Sequence, residues 1–192
     1  MIKRTLAATL FAACVAAIPA HAAPSVAQLA DAMLQQMGRT TAVTRGRGPR
    51  EVDVFFDPNC PYCHELYDDL RPWVGRQRLQ LRWIPVAVLA PSSEGKAAAL
   101  LQAANPVQAL ARNEDDFGEN PRAGSGGGLV PAAQLAPATR AELARNLQVL
   151  HAAGAYFAFP LMVWRDTSGR AQMFLGVPHD AAQLEALLDR VR

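Results

Sequence analysis

The stretch FFDPNCPYCHEL, residues 55–66, decides how the rest of the sequence is interpreted. Two cysteines, Cys60 and Cys63, are separated by two residues and followed directly by His64. This pattern fits two different chemistries. C-x-x-C is typical of a redox pair that opens and closes a disulfide, whereas C-x-x-C-H is the attachment site of a c-type haem. The residues around the motif must distinguish the two.

The first 22 residues predict a secretory signal peptide. A short basic start, MIKR, precedes an apolar run over residues 5–18, and Ala20-His21-Ala22 matches the small-x-small cleavage pattern. We therefore expect cleavage after Ala22 and export, with a bacterial periplasm as the destination. Lipidation at Cys14 is the weaker alternative, because a bulky Phe11 stands three positions before it and the apolar run continues beyond it.

Composition excludes several classes of function. Lysine and arginine together number 19 and aspartate and glutamate 17, and two of the basic residues lie in the predicted leader. Such a balance gives no electrostatic reason to expect binding to nucleic acid or to a membrane surface. Of the 3 cysteines, Cys14 falls in the leader, so only Cys60 and Cys63 remain. They are too few for a four-thiolate zinc site, and the sequence predicts neither a metal nor a cofactor.

Hydrophobic patterning predicts one α/β domain at residues 51–192, preceded by an N-terminal helix and a polar connector at 23–50. A helical insertion is expected at about 91–136, in which Ser92 and Ser93 can cap a helix. From residue 113 onward this insertion, with the Gly-rich piece RAGSGGGLVP, is predicted to be a flexible surface loop. The predicted helices are 23–37, 61–76, 92–104, 106–112, 139–153 and 178–191, and the predicted strands are 51–56, 79–89 with a bend or end at Pro85, 160–164 and 171–176.

The position of the motif favours the redox pair. Cys60 follows a predicted strand and an Asp-Pro-Asn break, and Pro61 suits the first position of a helix because its missing N–H needs no partner there. The Cys60 sulfur would then lie beside the free N–H groups of the helix start, which lower a thiol pKa. Cys63, one turn further, would be more enclosed and could resolve a mixed disulfide.

The haem alternative requires a mostly helical wrapping and usually a second axial ligand. Met162 and Met173 are the candidates, but both fall in the predicted β-hairpin, where packing is the simpler role. The redox pair is therefore the prediction, and the haem protein remains an alternative.

Several separated segments resemble the periplasmic thiol-disulfide interchange proteins of the DsbC/DsbG type, and DsbG more closely. They are DPNCPYCHELYDDLRPWV, LQLRWIPVAVLAPSSEGKAAALLQAANP, and FPLMVW followed by LGVP, so the resemblance covers roughly residues 51–192. It implies a thioredoxin fold, a central mixed sheet flanked by helices, with a helical insertion. It also implies a reversible Cys60–Cys63 disulfide, in which Cys60 attacks and Cys63 resolves.

The same resemblance implies that Pro160 is a cis-proline packed against the active-site sulfurs. The residue before it, Phe159, would offer its backbone to a substrate strand, at a position where DsbC and DsbG are similar in having Thr. Cysteine-containing periplasmic proteins are the implied substrates, including proteins with single oxidised cysteines, and a membrane redox partner would reset the pair. Segment 23–50 is too short for the dimerisation domain of those proteins, so a compact monomer, or a dimer built differently, is expected, with the monomer favoured. A non-catalytic binding module is the second alternative.

Three further residues around the motif are candidates for shaping the site. His64 either tunes the Cys60 thiolate by its charge or points to solvent. Asp57 caps the start of the active-site helix or, as the weaker alternative, relays protons to Cys63. Tyr62 lies between the two cysteines and is expected to shape the exposed surface.

Overall fold

The computed structural model describes residues 23–120, 122, 124, 126–156 and 158–192. The predicted signal peptide, residues 1–22, lies outside these residues. Among the residues described, no helix is both long enough and apolar enough to cross a membrane. The helices are α1 (Val26–Leu34), α2 (Pro61–Leu70), α3 (Ser93–Leu101), α4 (Pro106–Asp115), α5 (Pro137–Leu150) and α6 (Ala181–Leu188), and the strands are β1 (Val43–Gly46), β2 (Arg50–Phe56), β3 (Leu79–Pro85), β4 (Leu161–Arg165) and β5 (Ala171–Leu175).

The described strands form one five-stranded mixed sheet in the order β1-β3-β2-β4-β5. The central pair, β2 and β3, is parallel, and the other neighbouring strands are antiparallel. Side chains of successive strand residues point to opposite faces, so Val54 packs with α2 and α6 whereas Phe55 packs with α1 and α5. Each face of the sheet is thereby covered by helices, and β2 carries the chain into α2 from the middle of the sheet.

The N-terminal segment contains a strand that the sequence did not predict. Strand β1 lies in the polar connector and pairs with β3, Val43 opposite Trp83. Only Val43 of its four residues is buried, because an edge strand does not need a second row of apolar side chains. A single apolar residue is too weak a pattern to predict a strand from the sequence. Helix α1 packs on the core that includes Phe55, so segment 23–50 is part of the same folded unit.

The end of helix α2 differs from the one predicted. Helix α2 ends at Leu70 rather than near residue 76, because Pro72 cannot continue its hydrogen-bond ladder and instead lies in a 3₁₀ turn, Arg71–Trp73. Strand β3 ends at Pro85, as expected.

The prediction of a flexible surface loop from residue 113 onward is wrong for residues 113–115 and 127–129. Helix α4 extends to Asp115, and Gly127 and Gly128 are buried. A Cβ on Gly127 would lie 2.1 Å from Oδ1 of Asn113, and one on Gly128 would lie 2.4 Å from Cβ of Asp116. These glycines permit a close approach of two backbones, a role that the sequence alone does not distinguish from flexibility.

Candidate active site

The two cysteines lie at the start of α2, where the chain leaves β2. Cys60 is the N-cap residue, with extended backbone angles (φ −83°, ψ 114°), and Pro61 is the first helical residue, as predicted. The N–H of Cys63 donates a hydrogen bond to Sγ of Cys60 at 3.3 Å. Both cysteines are free thiols in this structure. A sulfur that accepts the helix's first N–H groups is placed where negative charge is stabilised.

The pKa values of the two thiols are driven apart. The hydrogen bond from the Cys63 thiol, together with the N–H groups of Cys63 and Tyr62, lowers the pKa of Cys60 in spite of its burial. Burial, and then the hydrogen bond and charge of Cys60, raise the pKa of Cys63 well above its usual range. Cys60 is 3% exposed and Cys63 1%. Hydrogen bonding rather than exposure therefore distinguishes the two thiols.

Phe159 and Pro160 approach this site from the start of β4. The peptide bond between them is cis, as the resemblance implied. Phe159 and Cys60 line a common groove of about 510 Å³, and the other side chains of its lining are mostly apolar: Pro61, Tyr62, Val88, Leu89 and Ala158.

The groove presents apolar side chains to solvent. Tyr62 is 63% exposed and Leu89 is 51% exposed. Tyr62 and Phe159 also line a neighbouring depression, on the side of residues 176–179, so their two rings form the wall between the two recesses. The prediction that Tyr62 lies on the exposed surface is confirmed.

Asp57 anchors the loop before Cys60, which differs from the capping role predicted for it. It does not cap α2, because Cys60 occupies the cap position. Its buried carboxylate accepts hydrogen bonds from the N–H of Asn59 at 2.9 Å and from the N–H groups of Val88 and Leu89 at 2.8 and 3.0 Å. The Ser93 hydroxyl donates a fourth bond at 2.8 Å. Ser92 is the N-cap residue of α3, but the predicted side-chain cap by Ser92 or Ser93 is not formed. Asp57 ties the loop before Cys60 to the wall of the groove.

Sequence analysis missed a second polar group behind the same loop. Lys96 is fully buried and donates from Nζ to Oδ1 of Asn59 at 2.8 Å and to the carbonyl of Gly127 at 2.5 Å. The Pro58 carbonyl accepts bonds from Nδ2 of Asn113 at 3.1 Å and from the N–H of Gly127 at 3.0 Å. A lysine within the Ala/Leu-rich part of a predicted helix was the signal that could have revealed this network.

His64 does not point freely to solvent, since its side chain is only 32% exposed. Its ring stacks on Phe117, with centroids 4.7 Å apart and planes 12° apart. Nδ1 lies 3.6 Å from Oε2 of Glu114, and Nε2 lies 3.8 Å from Oδ2 of Asp68. Glu114 is 1% exposed, and burial raises its pKa to about 8. Sequence analysis placed Glu114 in a surface loop because it belongs to the polar run NEDD.

Met162 and Met173, the axial ligands that the haem alternative requires, lie in β4 and β5. The register pairs Met173 with Val163, the neighbour of Met162, so the two thioethers lie on opposite faces of the sheet. Met162 packs in the core with the two cysteines, and Met173 packs on the other core. Both have the packing role. Among the described residues, no group of three or more His, Cys, Asp and Glu side chains could hold a metal ion.

Comparison with known proteins identifies what this arrangement resembles. No family model matches the chain. The chain is 37% identical to the thiol:disulfide interchange protein DsbG of Pseudomonas aeruginosa over 84% of its own length and 60% of that protein's. It thus spans less than two thirds of the length of this relative.

Two solved structures share the architecture. A periplasmic thioredoxin-like protein from Salmonella enterica serovar Typhimurium superposes with a TM-score of 0.59 at 20% identity, over 83% of this chain and 94% of that one. The thiol-disulfide exchange protein α-DsbA2 from Wolbachia pipientis gives a TM-score of 0.61 at 12% identity, over 84% and 94%. The chain is therefore similar in sequence to DsbG and has the thioredoxin fold, as the resemblance implied.

Proposed function

We propose that this DsbG-like chain is a thiol-disulfide oxidoreductase that acts on cysteines of exported proteins through a reversible Cys60–Cys63 disulfide. The observation that carries the proposal is the asymmetry of the two thiols. Cys60 Sγ accepts the N–H of Cys63 at 3.3 Å, and its pKa is lowered, whereas burial raises the pKa of Cys63. One sulfur is thus prepared to attack and the other is held in reserve.

The exchange proceeds in two displacements. The Cys60 thiolate attacks one sulfur of a substrate disulfide, so that a mixed disulfide forms and the other substrate sulfur leaves as a thiolate. Cys63 then loses its proton and attacks Cys60 Sγ, which closes the intramolecular disulfide and releases the second substrate thiolate. Two electrons pass from the protein to the substrate, and the reverse sequence oxidises a substrate dithiol. A sulfenic acid on a single cysteine would be reduced in the same way, with water as the leaving group.

The apolar groove supports a protein rather than a small thiol as the substrate. An extended segment that carries its cysteine beside apolar side chains could lie between Tyr62 and Leu89 and present its sulfur to Cys60. Phe159 precedes the cis-proline, at the position that the resemblance to DsbC and DsbG assigns to the contact with a substrate strand. Its ring, in place of the Thr of similar proteins, favours apolar over polar neighbours of the substrate cysteine.

The remaining features of the proposal concern place and partners. The signal peptide predicted at residues 1–22 supports export to the periplasm, where a membrane redox partner would reset the Cys60–Cys63 pair. We also propose a monomer, since α1 and β1 pack into the thioredoxin-like domain rather than forming a separate one.

Equilibration with glutathione buffers, with free thiols counted by alkylation and mass, tests this function. Cys60 and Cys63 should titrate together as one two-electron couple. A potential near about −120 to −180 mV would indicate an oxidant or isomerase, and about −230 mV or below a reductant. Exchange that survives in Cys60→Ser would instead support a non-catalytic binding module, and an attached mass with visible absorption would restore the haem alternative.

A further inference from the structure

Glu114 is a buried carboxyl group with one unsatisfied oxygen. Its Oε1 accepts a hydrogen bond from Nδ2 of Asn113 at 2.9 Å. Its Oε2 is buried and has no hydrogen-bond partner among the residues that the structure describes. Burial of a carboxylate in this state is costly, and a group so placed favours its neutral form. The proposed exchange reaction assigns no role to Glu114.

His64 lies between this carboxyl group and solvent. Its Nδ1, 3.6 Å from Oε2 of Glu114, is likewise buried and without a hydrogen-bond partner among the described residues. Stacking on Phe117 fixes the plane of the imidazole ring. The side chain of His64 is 32% exposed, and Nε2 lies on the side of Asp68, whose side chain is 50% exposed. A proton could therefore pass between the buried carboxyl and water through the two ring nitrogens.

The same pair is connected to the reacting sulfurs. His64 directly follows Cys63, and its N–H donates to the carbonyl of Cys60 at 3.1 Å. Asn113, which holds Glu114, also donates to the Pro58 carbonyl of the active-site loop. A change of charge on Glu114 would thus occur beside the loop and the helix that carry the two thiols.

The charges around Glu114 are mostly negative. Burial is the main cause that raises its pKa to about 8, and the charges of Asp68, Cys60 and Asp115 raise it further, against the hydrogen bond from Asn113. Asp68 and Asp115 are both half exposed and share the guanidinium of Arg71, which weakens their effect. The charge of Glu114 in turn contributes to the raised pKa of Cys63. Cys60 is the negative neighbour whose charge changes with the redox state.

We propose that Glu114 and His64 form a redox-linked proton site, in which Glu114 holds a proton while Cys60 is a thiolate and releases it through His64 when Cys60 enters a disulfide. The inference rests on the proposed function. The thiolate disfavours a second negative charge nearby, and closing the disulfide removes that charge. Oxidation by a substrate disulfide then converts the Cys60 thiolate and the Cys63 thiol into a disulfide. The substrate receives two electrons and the Cys63 proton, and the Glu114 proton goes to solvent.

Linkage gives this site a consequence for the redox equilibrium. Because oxidation releases a proton from Glu114 in addition to that of Cys63, a rise in pH favours the disulfide form more steeply near pH 8 than the two thiols alone would require. Glu114 exchanges its proton through His64 and affects the two thiols through its charge. It is therefore a positioning residue rather than a catalytic residue.

Carbon-13 NMR of the glutamate carboxyl groups in the intact protein tests the inference directly. The Glu114 resonance, assigned by its loss in Glu114→Gln, should titrate at least about one pH unit higher in the reduced than in the oxidised protein, a tenfold difference in proton affinity. Equal midpoints in the two redox states would overturn the proposal. The comparison uses the wild-type chain in both states, so it stands even if the variant folds poorly and the assignment has to come from triple-resonance spectra.

The pH dependence of the glutathione equilibrium gives a second readout. Glu114→Gln should lose the extra steepness near pH 8, whereas Glu119→Gln, which removes an exposed carboxylate that is not among the causes of the raised pKa of Glu114, should retain it. A Glu114→Gln variant that exchanges with glutathione and keeps the wild-type pH dependence would refute the proton site and leave the proposed function intact. Absence of any glutathione exchange in the wild-type protein would instead refute the proposed function.

Discussion

Lys96 lies fully buried behind the active-site loop and donates a hydrogen bond from Nζ to Oδ1 of Asn59, the residue before Cys60. The lysine belongs to α3, and its second acceptor is the carbonyl of Gly127 in the glycine-rich segment. Two pieces of the insertion therefore meet at the turn from which Cys60 projects. The insertion forms the back of the active site and is not a peripheral addition to the fold.

Limited alkylation should modify Cys60 before Cys63. Both thiols are nearly inaccessible, 3% and 1% exposed, so their difference in reactivity reports mainly the lowered pKa of Cys60 and the raised pKa of Cys63. We expect Cys60 to react at least about tenfold faster with iodoacetamide at pH 7. Peptide mapping by mass spectrometry measures the ratio. Urea should abolish the selectivity, and a selectivity that persists in urea would show that it does not come from the fold.

Replacement of Asp57 by Asn should lower the free energy of unfolding by about 2 to 3 kcal/mol. An amide nitrogen at Oδ2 would face the N–H groups of Val88 and Leu89, which then lose their acceptor. Urea denaturation of the reduced protein provides the value. Asp69→Asn, on the exposed side of α2, is the matched control and should change stability by less than about 0.5 kcal/mol. Equal stabilities of the two variants would contradict the anchoring role of Asp57.

Replacement of Gly127 by Ala should displace the active-site loop. The new Cβ would lie 2.1 Å from Oδ1 of Asn113 and 2.3 Å from the carbonyl oxygen of Pro58. We expect a loss of about 1 to 3 kcal/mol in unfolding free energy and slower exchange at Cys60, measured by denaturation and by the rate of reaction with glutathione disulfide. Gly38→Ala is the control, since a Cβ there meets nothing within 4 Å. A Gly127→Ala variant as stable and as fast as Gly38→Ala would show that the contact is not needed.

Replacement of Leu89 by Ser should weaken binding of apolar substrates without changing the chemistry. Leu89 is 51% exposed in the groove beside Cys60, and its burial under a substrate is worth about 1.5 kcal/mol or more. The KM of a disulfide-bonded apolar peptide should rise about tenfold, while the rate with glutathione disulfide stays unchanged. Val107→Ser removes an apolar side chain of similar exposure, 42%, away from the groove and should alter neither value. A parallel loss with both substrates would point to damage at Cys60 itself.

Stability should fall as the pH rises from about 4 to 7, in part because of Asp53. Burial raises the pKa of this carboxyl to about 7, opposed by the charge of Arg82 and assisted by that of Glu51. The native state therefore holds the proton more tightly than the unfolded chain, so the stabilisation is complete below pH 4 and is lost as the pH passes 7. One such group contributes at most about 1.4 kcal/mol per pH unit.

Asp53→Asn should make this fall in stability shallower. Urea denaturation of wild type and variant at pH 5, 6 and 7 measures the slope. Glu114 keeps part of the slope in the variant, because its pKa is also raised, to about 8. Identical slopes in the two proteins would contradict the raised pKa of Asp53.

The elements near the motif were predictable because they depend on local patterns. The strand before Cys60, Pro61 at the first helical position and the hairpin of β4 and β5 all follow from hydrophobic period and turn residues. The groove wall and the roles of Asp57 and Lys96 were not predictable, because their partners, apart from the Asn59 N–H that donates to Asp57, lie 31 or more residues away in the chain. Strand β1 was missed for a related reason. Its own sequence supplies only one buried side chain, so the strand can be recognised only from its pairing with β3.

The sequence by itself predicted a cysteine pair at a strand-to-helix turn and the order of the elements other than β1. The Asp-Pro-Asn break and the proline between the two cysteines were sufficient to place the pair at the start of a helix, since helix-start geometry acts over a few residues. The tertiary structure alone decided which groups surround the two sulfurs. It converted a glycine-rich run into a tightly packed support for Pro58 and buried Glu114 against His64. Burial and contact across the chain set the pKa of a carboxyl group, and neither is encoded in the residues next to it.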